Sequence, residues 1–224
     1  MGWGGKNAVL NNRPVAQEPD SPAAVDEFIH AMHGLGMTQA EGLNELVDFT
    51  HMKTMLDMGG VSGAYSLVVT KKNPHMKAVL YDFPEVCDIA RKFIRRFRAG
   101  SRVRICEGNI FADNVPEGFD VVLLSQVLHE YGPSDCLLIL RKAYGSLNPG
   151  GLIIINETLI NSAETGPPQA ALFSVNMLVH SRNGSSYSGK RIKGWLKRIG
   201  YSEITIHSSG SLLAPITARE KNNS

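Results

Sequence analysis

Cysteine is scarce in this 224-residue chain, which has only Cys87, Cys106 and Cys136, an odd number set far apart and without metal-ligand spacing. That pattern argues against a disulfide framework or a metal site, reads as core thiols, and favours a reducing compartment. Long apolar runs are missing too. The start, Met1-Gly2-Trp3-Gly4-Gly5-Lys6, has no apolar leader, and runs such as Val121 to Leu124 and Leu152 to Ile155 fall far short of a bilayer span. The expectation is a soluble, cytoplasmic protein with no membrane partner. Neither sign of charge dominates: 23 basic and 21 acidic residues leave a formal +2, which argues neither for nor against an anionic partner. No internal repeat or low-complexity segment interrupts the chain. What is present is a globular balance, 43% hydrophobic and 20% charged, in a length that suits one main domain with a sizeable core.

Residues 1–22, rich in glycine and proline, read as an irregular lead-in. Ser21-Pro22 opens a helix expected through about Gly34, with Val25, Phe28, Ile29 and Met32 at helical spacing. A second helix is expected from Thr38 to Thr50, with Thr38 and Glu41 as a capping box. Residues 23–50 would then form a helical lid or brace. From Lys53 onward strands and helices alternate. Strands are expected near 54–58, 77–82, 102–107, 119–125 and 151–158, and helices over 63–72, 85–99, 134–147, 169–181 and 189–199. The continuous apolar strands suit the buried centre of a parallel sheet, so residues 51–224 read as a doubly wound, mostly parallel α/β domain. Strands at 202–207 and 212–218, joined by Ser208-Ser209-Gly210, would add an antiparallel hairpin to its edge.

The chain is organised around Thr54 to Ser66, a short apolar strand ending in Asp57-Met58-Gly59-Gly60-Val61-Ser62-Gly63 and running into a helix. Glycines let backbone approach a ligand, and the helix start offers unpaired N–H groups, which together make a cofactor cradle. A dinucleotide site would want G-x-G-x-x-G with an acid roughly 20 residues on, and the spacing here fits that less well. In an open α/β sheet, ligands collect where strands end. At those ends stand Asp82, able to accept ribose hydroxyls; Asn109 and Ile110, able to flank adenine; Ser125; and then His129-Glu130 and Glu157. A histidine there can act as a base near neutral pH, and a carboxylate on the same rim can orient it.

Taken together, Leu56-Asp57-Met58-Gly59-Gly60, Asp82-Phe83-Pro84-Glu85-Val86, Gly108-Asn109-Ile110-Phe111, Leu128-His129-Glu130, and Asn148-Pro149-Gly150-Gly151 followed by Ile155-Asn156-Glu157 resemble successive motifs of the small-molecule S-adenosylmethionine-dependent O-methyltransferases, the family of plant phenolic, acetylserotonin and bacterial polyketide enzymes. The resemblance covers roughly residues 50–220 and implies a Rossmann-like methyltransferase sheet with S-adenosylmethionine as cofactor. It implies that Gly59, Gly60 and Gly63 cradle the methionine end, Asp82 holds the ribose, Asn109 and Ile110 flank the adenine, and Ser125 lies near the cofactor's polar groups. Asp57 and Phe83 belong to the same cofactor set. It also implies that His129 is the base, with Glu157 and Glu130 as its acids, and that Phe173, Met177 and His180 on the 169–181 helix face a hydroxylated, aromatic acceptor.

The sequence departs from the family at several positions. Val61 replaces a motif glycine, Asn109 an aspartate and Ser125 a lysine common in plant members, and a further acid of plant members, which would fall near Ser186, is absent. Family members also carry an N-terminal dimerisation domain that has no counterpart here, so the expectation includes a homodimer or a partner chain supplying it. No metal is required. Two rivals remain open. Arg91, Lys92, Arg95, Arg96, Arg98, Arg102 and Arg104 would suit phosphate contacts in a nucleic-acid methyltransferase, although no Asn-Pro-Pro-Tyr-like motif accompanies them. Alternatively, Val61 and the absent domain would suit a non-catalytic cofactor-binding or interaction module.

Overall fold

In the computed structural model the described residues are 22–181, 183–208 and 212–221, with the side chains of 22–26, 28 and 180 outside that description. Their helices are α1 (Pro22–Leu46), α2 (Ala64–Lys72), α3 (Pro84–Arg96), α4 (Pro133–Ser146), α5 (Pro168–His180) and α6 (Gly189–Ile199). The strands are β1 (Thr54–Met58), β2 (Lys77–Asp82), β3 (Val103–Glu107), β4 (Phe119–Ser125), β5 (Leu147–Glu157), β6 (Ser202–Ile206) and β7 (Ala214–Arg219). They form one seven-stranded sheet in the order β3-β2-β1-β4-β5-β7-β6. The first five strands run parallel, and β7 turns antiparallel against β5, carrying β6 at the edge. The doubly wound sheet with its closing hairpin therefore stands as expected. Ser209 and Gly210 of the expected hairpin turn lie outside the described residues.

Strand residues alternate between two buried faces because successive side chains point to opposite sides. Met55, Leu80, Val121, Leu123 and Ile154 pack toward α1, α2 and α3, whereas Leu56, Met58, Tyr81, Val122, Leu124 and Ile155 pack toward α4 and α6. Prolines at the first turns of α3, α4 and α5 start those helices where a missing N–H costs nothing. Ser188 caps α6 by accepting the Arg191 N–H at 3.2 Å.

The two helices expected between 22 and 50 are a single one, α1, which ends at Leu46. Thr38 is not a cap: its hydroxyl donates back to the Gly34 carbonyl at 3.4 Å, as in a helix interior. Gly36 does not break the helix because it is needed where it stands. A Cβ there would lie 3.0 Å from the Ala64 Cβ, so the glycine lets α1 press against the start of α2. The same contact brings α1 to the glycine turn, where His33 Nδ1 meets the Ser62 hydroxyl at 2.9 Å.

Candidate active site

The β1–α2 turn is held from below by Asp57. Its buried carboxylate accepts from the Ser66 N–H at 3.2 Å and the Ser66 hydroxyl at 2.7 Å, clasping the first turn of α2. Burial raises its pKa to about 6, with the Ser66 bonds pulling the other way. Gly59 and Gly63 occupy left-handed backbone at φ 78° and 76°. A Cβ on Gly59 would come within 2.8 Å of Val127 Cγ2. Val61 also sits in left-handed space, at φ 47°, although it is β-branched. It thus holds a backbone shape that glycine adopts readily, and its side chain is exposed.

That shape has a use. The Val61 N–H donates to Asp82 Oδ2 at 2.9 Å, and Asp82 Oδ1 accepts from the Phe83 N–H at 2.8 Å. Asp82, 8% exposed, has its pKa raised by burial, against these two bonds that lower it. Gly59, Asp82, Phe83 and Ile110 line one cleft beyond the ends of β1, β2 and β3, joined by Met58 and Gly108 of the same sequence motifs and by Tyr81, Val127 and Tyr131, to which the sequence assigned no role. Asn109 is not among the residues that line this cleft; its Oδ1 accepts from the Phe111 N–H at 2.8 Å, in a turn of its own. Ser125 belongs to a separate polar network. Its hydroxyl accepts from Asn156 Nδ2 at 3.2 Å, and the same amide donates to the Tyr65 hydroxyl at 2.9 Å.

After β4 the chain makes a sharp turn through Gln126, at φ 56°, into a short 3-10 segment, Leu128–Glu130. This carries His129, 6% exposed, to Glu157 at the end of β5. Nδ1 of His129 lies 2.8 Å from Glu157 Oε2, while Glu157 Oε1 accepts the Leu128 N–H at 2.8 Å. One carboxylate therefore fixes both the ring and the backbone beneath it. Nε2 lies 3.3 Å from Glu130 Oε1, on a side chain 51% exposed. Burial pulls the His129 pKa down, but the hydrogen bonds and charges of Glu130 and Glu157 outweigh it and raise it to about 9. Phe173 of α5 stands edge-on to the imidazole, centroids 4.9 Å apart. Met177 is buried on the same helix, and the side chain of His180 lies outside the described residues. The turn is locked from a direction the sequence did not disclose: the Ser185 N–H donates to the His129 carbonyl at 2.9 Å, and a Cβ on Gly184 would overlap that oxygen at 2.3 Å.

Val127 and Tyr131 line the cleft while His129 lies between them in sequence, so the same short segment serves both sites. The basic run takes a different course. Arg91 is engaged by Asp88 at 2.7 Å and by Glu107, which ties it into the α3–β3 surface. Among the described residues no cluster of three or more histidine, cysteine or acidic side chains is arranged to hold a metal, and no helix is long and apolar enough to cross a membrane.

Residues 15–202 match the family model of the O-methyltransferase domain. The chain is 31% identical over 204 residues to a 3-hydroxy-5-methyl-1-naphthoate 3-O-methyltransferase of Streptomyces sahachiroi, covering 88% of this chain and 59% of that protein. It is 30% identical over 200 residues to the acetylserotonin O-methyltransferase of Bos taurus, covering 87% and 56%. The crystal structure of human N-acetylserotonin methyltransferase in complex with SAM superposes with a TM-score of 0.85 at 25% identity, over 98% of this chain and 66% of that one. The chain thus spans a little over half the length of these curated relatives.

Proposed function

The chain belongs to the O-methyltransferase domain family, and from that premise we propose that it is the catalytic part of an S-adenosylmethionine-dependent enzyme that methylates a hydroxyl oxygen of a small aromatic acceptor. The observation that carries this reading is the buried His129–Glu157 pair on the turn whose flanking residues, Val127 and Tyr131, line the Asp82 cleft. The human relative solved with SAM supports the cofactor. So does the fit of the chain itself: Gly59 leaves a cradle that a side chain would fill, and Asp82 presents a carboxylate whose remaining lone pairs suit ribose hydroxyls. Val61 does not spoil the cradle, because its N–H points at Asp82 and its side chain is exposed.

Bound there, the cofactor supplies a sulfonium methyl group, already set on a good leaving group for in-line displacement. The chain's own residues provide position and a base. Only the neutral form of His129 acts as the base, a minor fraction near pH 7 with the pKa at about 9: it donates Nδ1–H to Glu157 and takes the acceptor's hydroxyl proton at Nε2, and the Glu157 carboxylate stabilises the imidazolium that results. Glu130 shares Nε2 at 3.3 Å, so its half-exposed carboxylate must give up that place to the acceptor oxygen. Phe173, edge-on to His129, supports an aromatic acceptor, in keeping with the naphthoate and acetylserotonin named for the relatives. We assign residues 51–224 to the catalytic domain and α1 to bracing the glycine turn, with a second copy or a partner chain covering the acceptor side.

The test is methyl transfer from labelled S-adenosylmethionine to a panel of hydroxylated aromatics. General-base catalysis is worth about 10²- to 10⁴-fold, so His129→Ala should lower turnover by that order with S-adenosylhomocysteine affinity unchanged. Turnover equal to that of the parent chain would refute the base.

A further inference from the structure

Among the described residues, two buried side-chain polar atoms have no hydrogen-bond partner: Nε2 of His33 and the hydroxyl of Tyr81. His33 has its other nitrogen on Ser62 and its ring stacked on Phe93, which suffices to explain its position. Tyr81 is different. It is 2% exposed, yet its side chain belongs to the wall of the Asp82 cleft. A phenol removed from water and left unpaired is unfavourable, and a phenylalanine would fill the same core space without that penalty. The hydroxyl therefore calls for a partner that enters the cleft.

Two neighbours strengthen the point. Gly108, another residue of the wall, carries no side chain where a Cβ would lie 2.5 Å from the Tyr81 hydroxyl. Asn109, the residue with the best sequence claim to the adenine edge, has its side-chain oxygen committed to the Phe111 N–H. Burial also raises the phenol's pKa, so it remains a proton donor.

We propose that the Tyr81 hydroxyl reads the adenine of the bound cofactor, donating a hydrogen bond to one of its ring nitrogens within the cleft walled by Phe83, Gly108 and Ile110. This rests on the cofactor reading above. Tyr81 is then a cofactor-binding residue at the adenosine end.

The experiment compares the parent chain and Tyr81→Phe by calorimetric titration with S-adenosylhomocysteine and with its 1-, 3- and 7-deaza adenine analogues, alongside thermal melting of each protein without ligand. The expected result is a Kd for S-adenosylhomocysteine raised roughly 5- to 15-fold in the variant, an unliganded melting temperature equal to or above that of the parent, and one deaza analogue that binds both proteins alike. Equal affinity of the two proteins for S-adenosylhomocysteine would overturn the proposal, as would weaker binding accompanied by a lower unliganded melting temperature, which marks Tyr81 as packing alone. If the folded parent chain does not bind S-adenosylhomocysteine, the cofactor reading itself fails and this inference falls with it.

Discussion

At Val61 a β-branched residue holds φ 47°, a conformation that costs of the order of 1–3 kcal/mol outside glycine. The surrounding turn keeps it there because the N–H it aims at Asp82 fixes the carboxylate that faces the cleft. Sequence alone shows the missing glycine and not the left-handed shape, since backbone dihedral angles are not written in residue type. His129 shows the reverse. Its place at the end of a strand beside an acid was legible in the order of residues, whereas its protonation was not, because that depends on where two carboxylates converge. With the folded pKa raised from 6.5 to about 9, the stability that His129 contributes is complete below pH 6.5 and is lost as pH rises toward 9. An NMR titration of the imidazole should therefore show a midpoint near 9. Glu130→Gln should move it down, because one of the two carboxylates at the ring is removed. A midpoint below 7 in the parent chain would contradict the double pairing.

Among the elements, the strands were readable because buried parallel strands are short, continuous apolar runs, and Val121–Leu124 and Leu152–Ile155 can be little else. Helix α1 was not, because glycine in a sequence signals a break and cannot reveal that a neighbouring helix presses on it. Two of its three glycines, Gly34 and Gly36, differ in surroundings, which gives an internal control. A Cβ on Gly34 meets nothing within 4 Å, whereas one on Gly36 meets Ala64 at 3.0 Å. Gly34→Ala should add about 0.5–1 kcal/mol through helix propensity, raising the melting temperature by a few degrees. Gly36→Val should lower it and loosen the His33–Ser62 contact at the glycine turn. Thermal melting of both variants checks the pair; equal shifts in the same direction would contradict the close approach of α1 to α2.

On the scale of the whole molecule, the candidate site is assembled from residues far apart in sequence. The turn after β1, the ends of β2 and β3, and the segment after β4 all meet at one cleft, and β5 supplies the acid for the histidine beside it. Sequence order placed each of these at the carboxyl end of a parallel strand, and the sheet order β3-β2-β1-β4-β5 then brings them side by side. Tyr81, Val127 and Gly184 escaped notice because their roles come from packing across the chain rather than from a local pattern. The central claim is that this cleft binds S-adenosylmethionine through Asp82. The most direct measurement is calorimetric titration of the chain and of Asp82→Ala with S-adenosylmethionine and S-adenosylhomocysteine. The account predicts binding by the parent chain and a loss of at least tenfold in the variant, about 1.4 kcal/mol or more, with both proteins folded. A folded parent chain that binds neither ligand, or a variant that binds as tightly as the parent, would contradict it.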